Sequence, residues 1–173
     1  TFRKFCKTIS SFMKKLVEKV VSEAKLFNSS IHGVSHWQTV ERNGVYLCSF
    51  NSADIEVVRL FALFHDSKRE NDHRDLDHGP RAEMYLREIQ SLVPLKLNQF
   101  ENLCTACRTH TIGKIAENET IATCWDSDRL DIGRVGIKPN ADFLTSEEAK
   151  RIAREEDFKV LDNFLFEGII QTF

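Results

Sequence analysis

The stretch Leu60-Phe61-Ala62-Leu63-Phe64-His65-Asp66 is the feature around which the chain is organised. The apolar run that leads into it from Val57 has almost no polar atom on its inner faces, so the sequence predicts a buried central helix. That helix ends in a histidine followed by a carboxylate, two side chains that bind metal ions. A metal centre needs more ligands from elsewhere, and candidates occur in four other segments: His36, His78, His110 and Asp128.

The composition is that of an ordinary globular protein, with 173 residues of which 42% are hydrophobic and 29% are charged. This length suits a single domain over residues 1–173. The formal net charge of −2 gives no global attraction to nucleic acid or to anionic membranes. Five scattered cysteines do not resemble a disulfide framework and are interpreted as reduced thiols of a cytoplasmic protein. The longest apolar run has five residues, far below the ~20 that cross a bilayer.

Apolar residues recur at spacings of three and four, and no segment alternates with period two, so the predicted fold is all-α with seven or eight helices. An amphipathic helix is expected within residues 1–27, a core that carries the motifs at 31–137, and C-terminal helices at 145–173. The first of these segments has seven basic and two acidic residues, which we interpret as a solvated face rather than a nucleic-acid arm. Two apolar stripes support the terminal helices: Phe2, Phe5, Ile9, Phe12, Leu16 and Val20, and Phe158, Leu161, Leu165 and Ile169.

The segments that contain the candidate ligands resemble the HD-domain superfamily of metal-dependent phosphohydrolases, which is named for its adjacent histidine and aspartate. The resemblance extends from about residue 31 to residue 137 and follows the pattern H…HD…H…H…D. The matching segments are Ile31-His32-Gly33 to His36-Trp37, Phe64-His65-Asp66-Ser67, His78-Gly79-Pro80-Arg81-Ala82, Arg108-Thr109-His110-Thr111 and Asp126-Ser127-Asp128-Arg129-Leu130-Asp131. The last is similar to the family's closing D-A-D-R-L-D segment, with Ser127 in place of alanine.

The resemblance implies one or two divalent transition-metal ions (Mn, Fe, Co, Ni or Zn, with Mg also allowed). The implied ligands are His36, His65, Asp66, His78, His110 and Asp128. Two aspartates around one divalent ion give a formal net charge of zero. Two such ions shared by all six ligands leave a net charge of about +2, which would favour binding of a phosphate dianion.

The implied reaction is hydrolysis of a phosphoester or phosphoanhydride in a small nucleotide-like substrate by metal-activated water. Asp66 is expected to bridge the ions or orient water, Arg69 to neutralise charge on phosphate, and Glu70 to protonate the leaving group or align water. In so charged a loop, Arg69 and Glu70 could instead only pair with neighbours. The alternative function is a nucleotide-sensing module without turnover. Nucleic acid and membrane partners are not expected, and homo-oligomerisation is left open.

Several other residues admit two interpretations. Cys104-x-x-Cys107 has zinc-like or redox-like spacing, but no second cysteine pair follows, so we predict that both thiols pack in the core. Arg129 and Arg134 could reach substrate or brace the ends of helices. His73 is expected to be exposed, and His32 is a candidate to support the metal ligands.

Overall fold

The structure is a computed structural model that describes residues 11–170, and all of its regular elements in that range are helical. The α-helices are α1 (Ser11–Ser22), α2 (Val34–Leu47), α3 (Ile55–Phe64), α4 (His78–Glu88), α5 (Leu97–Thr109), α6 (Glu119–Arg129), α7 (Glu147–Glu155) and α8 (Lys159–Asp162). Short 3-10 turns occupy Gln90–Leu92, Ile132–Val135 and Ala141–Phe143. The described chain has no strand, which confirms the all-α prediction. None of its helices combines the length and the apolar character that a bilayer span requires.

Helix α3 is the central helix of the bundle and packs against α1, α2, α5 and α6. Its N-terminus is capped by Asp54, whose carboxylate accepts hydrogen bonds from the backbone N–H groups of Glu56 and Val57. Val57, Val58 and all five residues of the run 60–64 are at most 1% exposed. Because apolar side chains surround α3 almost completely, its C-terminal end lies inside the protein. His65 and Asp66 therefore begin a loop whose first residues are buried.

Helices α2 and α6 lie close to α3 and to each other. Gly44 allows the approach of α2 to α3, because a Cβ atom there would lie 2.4 Å from Cγ1 of Val58. The side-chain amide of Asn43 donates a hydrogen bond to the carbonyl of Ser127, 3.1 Å away, and so joins α2 to α6. These contacts set the spacing of the two helices that carry His36 and Asp128.

A second, smaller core lies beneath α7 and α8. Its buried members are Leu47, Leu130, Leu144, Ala149, Ile152, Ala153 and Leu161. The carboxylate of Asp126 connects this core to α6, since it accepts hydrogen bonds from the backbone N–H groups of Thr145 and Ser146 at 2.9 and 2.8 Å.

The predicted C-terminal helix through Ile169 is wrong, because α8 ends at Asp162 and Leu165 is 95% exposed. The physical reason is a set of contacts to distant residues. The carboxylate of Glu41 accepts hydrogen bonds from the backbone N–H groups of Ile169 and Ile170, at 2.8 and 3.1 Å. These N–H groups are consequently not available for an α-helical turn.

Helix α1 covers only part of the predicted N-terminal helix, since it ends at Ser22. Leu16 and Val20 are buried as their stripe predicted, whereas Phe12 is 46% exposed. Phe2, Phe5 and Ile9 lie outside the described residues.

Candidate metal centre

The structure brings together all six predicted metal ligands, although they come from five separate segments of the chain. His36 lies in α2, His65 and Asp66 follow α3, His78 begins α4, His110 follows α5, and Asp128 lies in the last turn of α6. Five of these side chains are fully buried or nearly so, and the least buried, Asp128, is 19% exposed at its side chain. They form two groups, which we call the His36 position and the His78 position.

The His36 position consists of His36, His65, Asp66 and Asp128. The Nε2 atoms of the two histidines are 3.1 Å apart. Oδ2 of Asp66 lies 3.7 Å from each of them. Oδ1 of Asp128 lies 3.3 Å from Nε2 of His36 and 3.9 Å from Nε2 of His65. The ligand atoms of His36, His65 and Asp66 all lie within 4.8 Å of one another, and Asp128 lies beside the two histidines of this group.

The His78 position consists of Asp66, His78 and His110. The Nε2 atoms of its two histidines are 2.8 Å apart. Oδ1 of Asp66 lies 3.2 Å from Nε2 of His78 and 3.7 Å from Nε2 of His110. The hydroxyl of Thr111 lies 3.2 Å from Nε2 of His78. Asp66 thus presents one carboxylate oxygen to each position, an arrangement that suits a ligand shared by two ions.

The other ring nitrogen of every histidine is occupied by a hydrogen bond. Nδ1 of His65 lies 3.2 and 3.1 Å from the carbonyls of Phe61 and Ala62, and Nδ1 of His110 lies 2.7 Å from that of Cys107. Nδ1 of His78 contacts the carbonyl of Asp75. A carbonyl oxygen can only accept, so these three Nδ1 atoms carry the hydrogen and leave Nε2 with a lone pair for a metal.

The fourth histidine, His36, differs because its Nδ1 lies 2.7 Å from Oδ2 of Asp131, a carboxylate rather than a carbonyl. Burial opposes protonation of this ring, yet the hydrogen bonds to Asp128 and Asp131 raise the pKa of His36. The same negative charges would favour a metal cation at Nε2.

The electrostatics of the centre fit a divalent cation. Burial alone would raise the pKa of Asp66 and of Asp128, but the surrounding histidines hold the pKa of both carboxyls well below its ordinary value. Burial lowers the pKa of His65 to about 3. At neutral pH the centre therefore contains two carboxylates and a neutral imidazole at His65, and this mixed nitrogen and oxygen set suits Mn, Fe, Co, Ni or Zn.

Arg69 and Glu70, predicted to act in catalysis, lie in different surroundings. Nε of Arg69 donates to Oδ1 of Asp66 at 3.0 Å, and its Nη1 donates to the carbonyls of Asn71 and His73. Glu70 is exposed and lines a separate surface cavity with Lys68 and Arg81. Of the two, only Arg69 contacts a candidate metal ligand in this structure.

A cavity of about 490 Å³ opens onto Asp66, His110 and Asp128. Its wall includes five cations: Arg69, Lys114, Arg129, Arg134 and Lys138. Its apolar residues are Ile112, Ile132, Ile137, Pro139 and Phe143. The cavity therefore combines strong positive charge with apolar surface beside the candidate ligands.

Two arginines, one at the end of α6 and one in the turn after it, brace the walls of this cavity. Arg129 donates hydrogen bonds to the carbonyls of Gly113, Lys114 and Phe143. Nε of Arg134 donates to the carbonyl of Ile31 at 2.8 Å, and its Nη1 donates to that of Asp131. From the sequence, these two arginines could either bind substrate or brace the ends of helices. All of these hydrogen bonds go to backbone carbonyls, as expected for bracing residues.

Sequence reasoning missed the contacts of Asp131, Thr111 and Lys114 with the site. Asp131 stands three residues after Asp128 in the quoted closing segment, and that proximity was the one available signal. Nδ1 of His32 donates to Oδ1 of Asp72, 2.9 Å away, and the ring centroid of His32 is 6.4 Å from that of His36. His73 is exposed as predicted. Cys104 and Cys107 are both buried free thiols, as the packing interpretation predicted.

Comparison with known proteins adds one structural likeness. No protein-family model matches the sequence, and no curated protein matches it. A crystal structure of a predicted HD superfamily hydrolase from an uncultured Thermotogales bacterium superimposes with a TM-score of 0.65 at 22% identity, covering 87% of this chain and 86% of that one. The arrangement of helices described above is therefore a known one: this chain has the fold of that predicted HD superfamily hydrolase.

Proposed function

We propose that the protein is a metal-dependent phosphohydrolase that cleaves a phosphoester or phosphoanhydride bond in a small, nucleotide-like substrate. The observation that carries the proposal is the division of Asp66 between two histidine pairs, with Oδ2 towards His36 and His65 and Oδ1 towards His78 and His110. The likeness of the fold to a predicted hydrolase supports the same conclusion.

In this proposal, His36, His65, Asp66 and Asp128 hold one divalent ion, and Asp66, His78 and His110 hold a second. When bound, such ions polarise a phosphoryl oxygen and lower the pKa of a coordinated water. The protein contributes the positions of the ligands, which the Nδ1 hydrogen bonds of the four histidines keep in one orientation.

The cationic cavity wall supplies the recognition of phosphate. Lys114 and Lys138 are both exposed at the wall. Nζ of Lys138 is paired with the carboxylate of Glu156 at 2.5 Å, so Lys114 is the better placed of the two to meet an incoming anion. Arg69, next to Asp66, is positioned to neutralise charge that develops on the phosphoryl group. Glu70 is the proposed proton donor, but it has to turn from the neighbouring cavity to reach a substrate. A wild-type rate in an E70Q protein would remove it from the mechanism.

The apolar surface beside these cations supports a substrate with a nucleoside-like part. Ile112 is 70% exposed and Phe143 is 54% exposed, and both line the same cavity as Asp66. A flat, partly apolar ring system could cover these side chains while its phosphate lies against the cations. The free cysteines of the described chain are in keeping with a cytoplasmic protein, which we also propose.

The test combines elemental analysis of protein purified without chelator with a panel of nucleotides and an aryl phosphodiester, with products separated by chromatography. We expect one to two transition-metal ions per chain and turnover of at least one substrate. A D66A protein is expected to lose both metal and turnover while its helical circular dichroism persists. The matched control is D77A, because Asp77 is exposed and its side chain does not cap α4.

Unchanged metal content in D66A would contradict the ligand assignment. A nucleotide that raises the melting temperature without forming product, with every metal tried, would instead indicate a nucleotide-sensing module.

A further inference from the structure

We propose that the two metal positions have unequal affinity: the His36 position binds its ion tightly, whereas Arg69 keeps the His78 position weak and exchangeable. This inference rests on the metal centre of the proposed function, but not on its substrate. It assigns to Arg69 a role in metal binding through the oxygen of Asp66 that the second ion would use.

The first reason is the distribution of negative charge. At the His36 position, Asp66 and Asp128 both present an oxygen within 4 Å of the histidine Nε2 atoms, and Asp131 adds a third carboxylate behind His36. At the His78 position, Asp66 is the one carboxylate among the described ligands, and the additional oxygen is the neutral hydroxyl of Thr111. A divalent cation is therefore better compensated at the His36 position.

The polar groups behind the histidines reinforce this difference. His78 and His110 donate from Nδ1 to backbone carbonyls of Asp75 and Cys107, which are neutral. His36 instead contacts the carboxylate of Asp131. A carboxylate partner makes an imidazole a stronger metal ligand than a carbonyl does.

The second reason is the placement of Arg69. Its Nε lies 3.0 Å from Oδ1 of Asp66, the oxygen that faces His78 and His110. The carbonyls of Asn71 and His73 hold the same guanidinium, and its side chain is only 13% exposed. A cation at the His78 position must share Oδ1 with this fixed positive charge and is repelled by it.

An anionic substrate would change this balance. A phosphate group in the cavity adds negative charge beside Arg69 and the His78 position at once. The second ion is therefore expected to bind more tightly when phosphate is present, so that the loading of the His78 position depends on occupancy of the cavity. Inorganic phosphate serves as the probe for this effect.

The experiment titrates chelator-stripped protein with Mn²⁺ and measures free Mn²⁺ by its electron paramagnetic resonance signal. We expect two ions whose dissociation constants differ at least roughly tenfold in the wild type. In R69A the second ion should bind roughly tenfold more tightly, with the first changed by less than about threefold, since the repulsion acts mainly at the nearer position. R69K retains the charge and should remain close to the wild type.

R74A provides the matched control, because Arg74 is an exposed arginine of the same loop and should leave both constants unchanged. H78A should abolish the second ion and retain the first, which identifies the weak position. Phosphate should tighten the second ion in the wild type more than in R69A.

Equal affinity for both ions in the wild type, or an unchanged second constant in R69A protein with wild-type circular dichroism, would overturn the inference while leaving the proposed function intact. Failure of the wild type to hydrolyse any substrate, with unequal Mn²⁺ binding that depends on Arg69, would overturn the proposed function alone.

Discussion

Oδ2 of Asp131 lies 2.7 Å from Nδ1 of His36, so a carboxylate from the turn after α6 contacts a candidate ligand histidine on α2. Asp131 is itself held by Arg134, whose Nη1 is 3.9 Å from the same carboxylate oxygen. The contact orients the imidazole with Nε2 towards His65 and Asp128. Among the described candidate ligand histidines, only His36 has a carboxylate as the partner of Nδ1, whereas the other three have backbone carbonyls.

Replacement of Asp131 should therefore weaken metal binding without removing a ligand. We expect D131A to lower the affinity of the His36 position about 10- to 100-fold, the range observed when such supporting groups are lost. D131N retains an oxygen that accepts from Nδ1, so its loss should be smaller. Competition with a chelating dye measures both constants. Equal, wild-type affinities in the two variants would show that Asp131 has no orienting role.

Gly44 should be intolerant of even a methyl group. In G44A the new Cβ would overlap Cγ1 of Val58, and overpacking of this kind costs about 1–3 kcal/mol. The gain in helix propensity, about 1 kcal/mol, offsets only part of that cost. The control is G133A, where no atom lies within 4 Å of the added Cβ. Urea denaturation should give a lower free energy of unfolding for G44A and a value close to wild type for G133A.

Glu41 should make stability depend on pH in a definite direction. Burial raises the pKa of this carboxyl above its ordinary 4.5, against the opposing effect of its hydrogen bonds from Ile169 and Ile170. The folded protein thus binds this proton more tightly than the unfolded chain does. The stabilising contribution is complete below about pH 4.5 and is lost as the pH rises through the raised value.

The measurement compares the free energy of unfolding of the wild type with that of E41Q, which cannot ionise at this position. The difference, wild type minus variant, should fall as the pH rises above 4.5. A difference that is constant or that grows with pH would contradict the expected direction.

Lys114 should contribute to substrate binding rather than to the chemical step. It is exposed at the cavity wall, so K114A is expected to raise KM for a phosphorylated substrate roughly threefold to tenfold with kcat nearly unchanged. The effect should shrink at high ionic strength. K14A removes an equally exposed lysine from α1 and should leave KM unaltered. An equal rise in both variants would indicate a general charge effect.

The central helix and the assembly of the centre could be predicted because both depend on local patterns. A run such as 60–64 has to be buried, and its end then carries His65 and Asp66 inside. Helical spacing and the family resemblance together singled out the other side chains that the structure brings into the same cluster. These patterns predict which side chains face the core. When the helices pack together, polar side chains that face the core from several helices lie close to one another.

The features that sequence reasoning missed depend on contacts between residues far apart in the chain. Residues 164–170 are not helical, and Glu41, over 120 positions earlier, accepts hydrogen bonds from two of their N–H groups. The contact of Arg69 with Asp66 depends on the path of the loop after α3. This loop has no apolar periodicity from which its path could be predicted. The contact of Asp131 with His36 spans 95 positions and requires both helix packing and a side-chain rotamer.

Since the six candidate ligands come from five segments, a bound ion would cross-link α2, α6 and the end of α3, and a second ion would connect α4 and α5 to them. Free metal at 100 times its dissociation constant would then add about 2.7 kcal/mol to the free energy of unfolding. Any substitution that destabilises the folded bundle should also weaken metal binding. The melting temperature and the metal content of this protein should therefore change together.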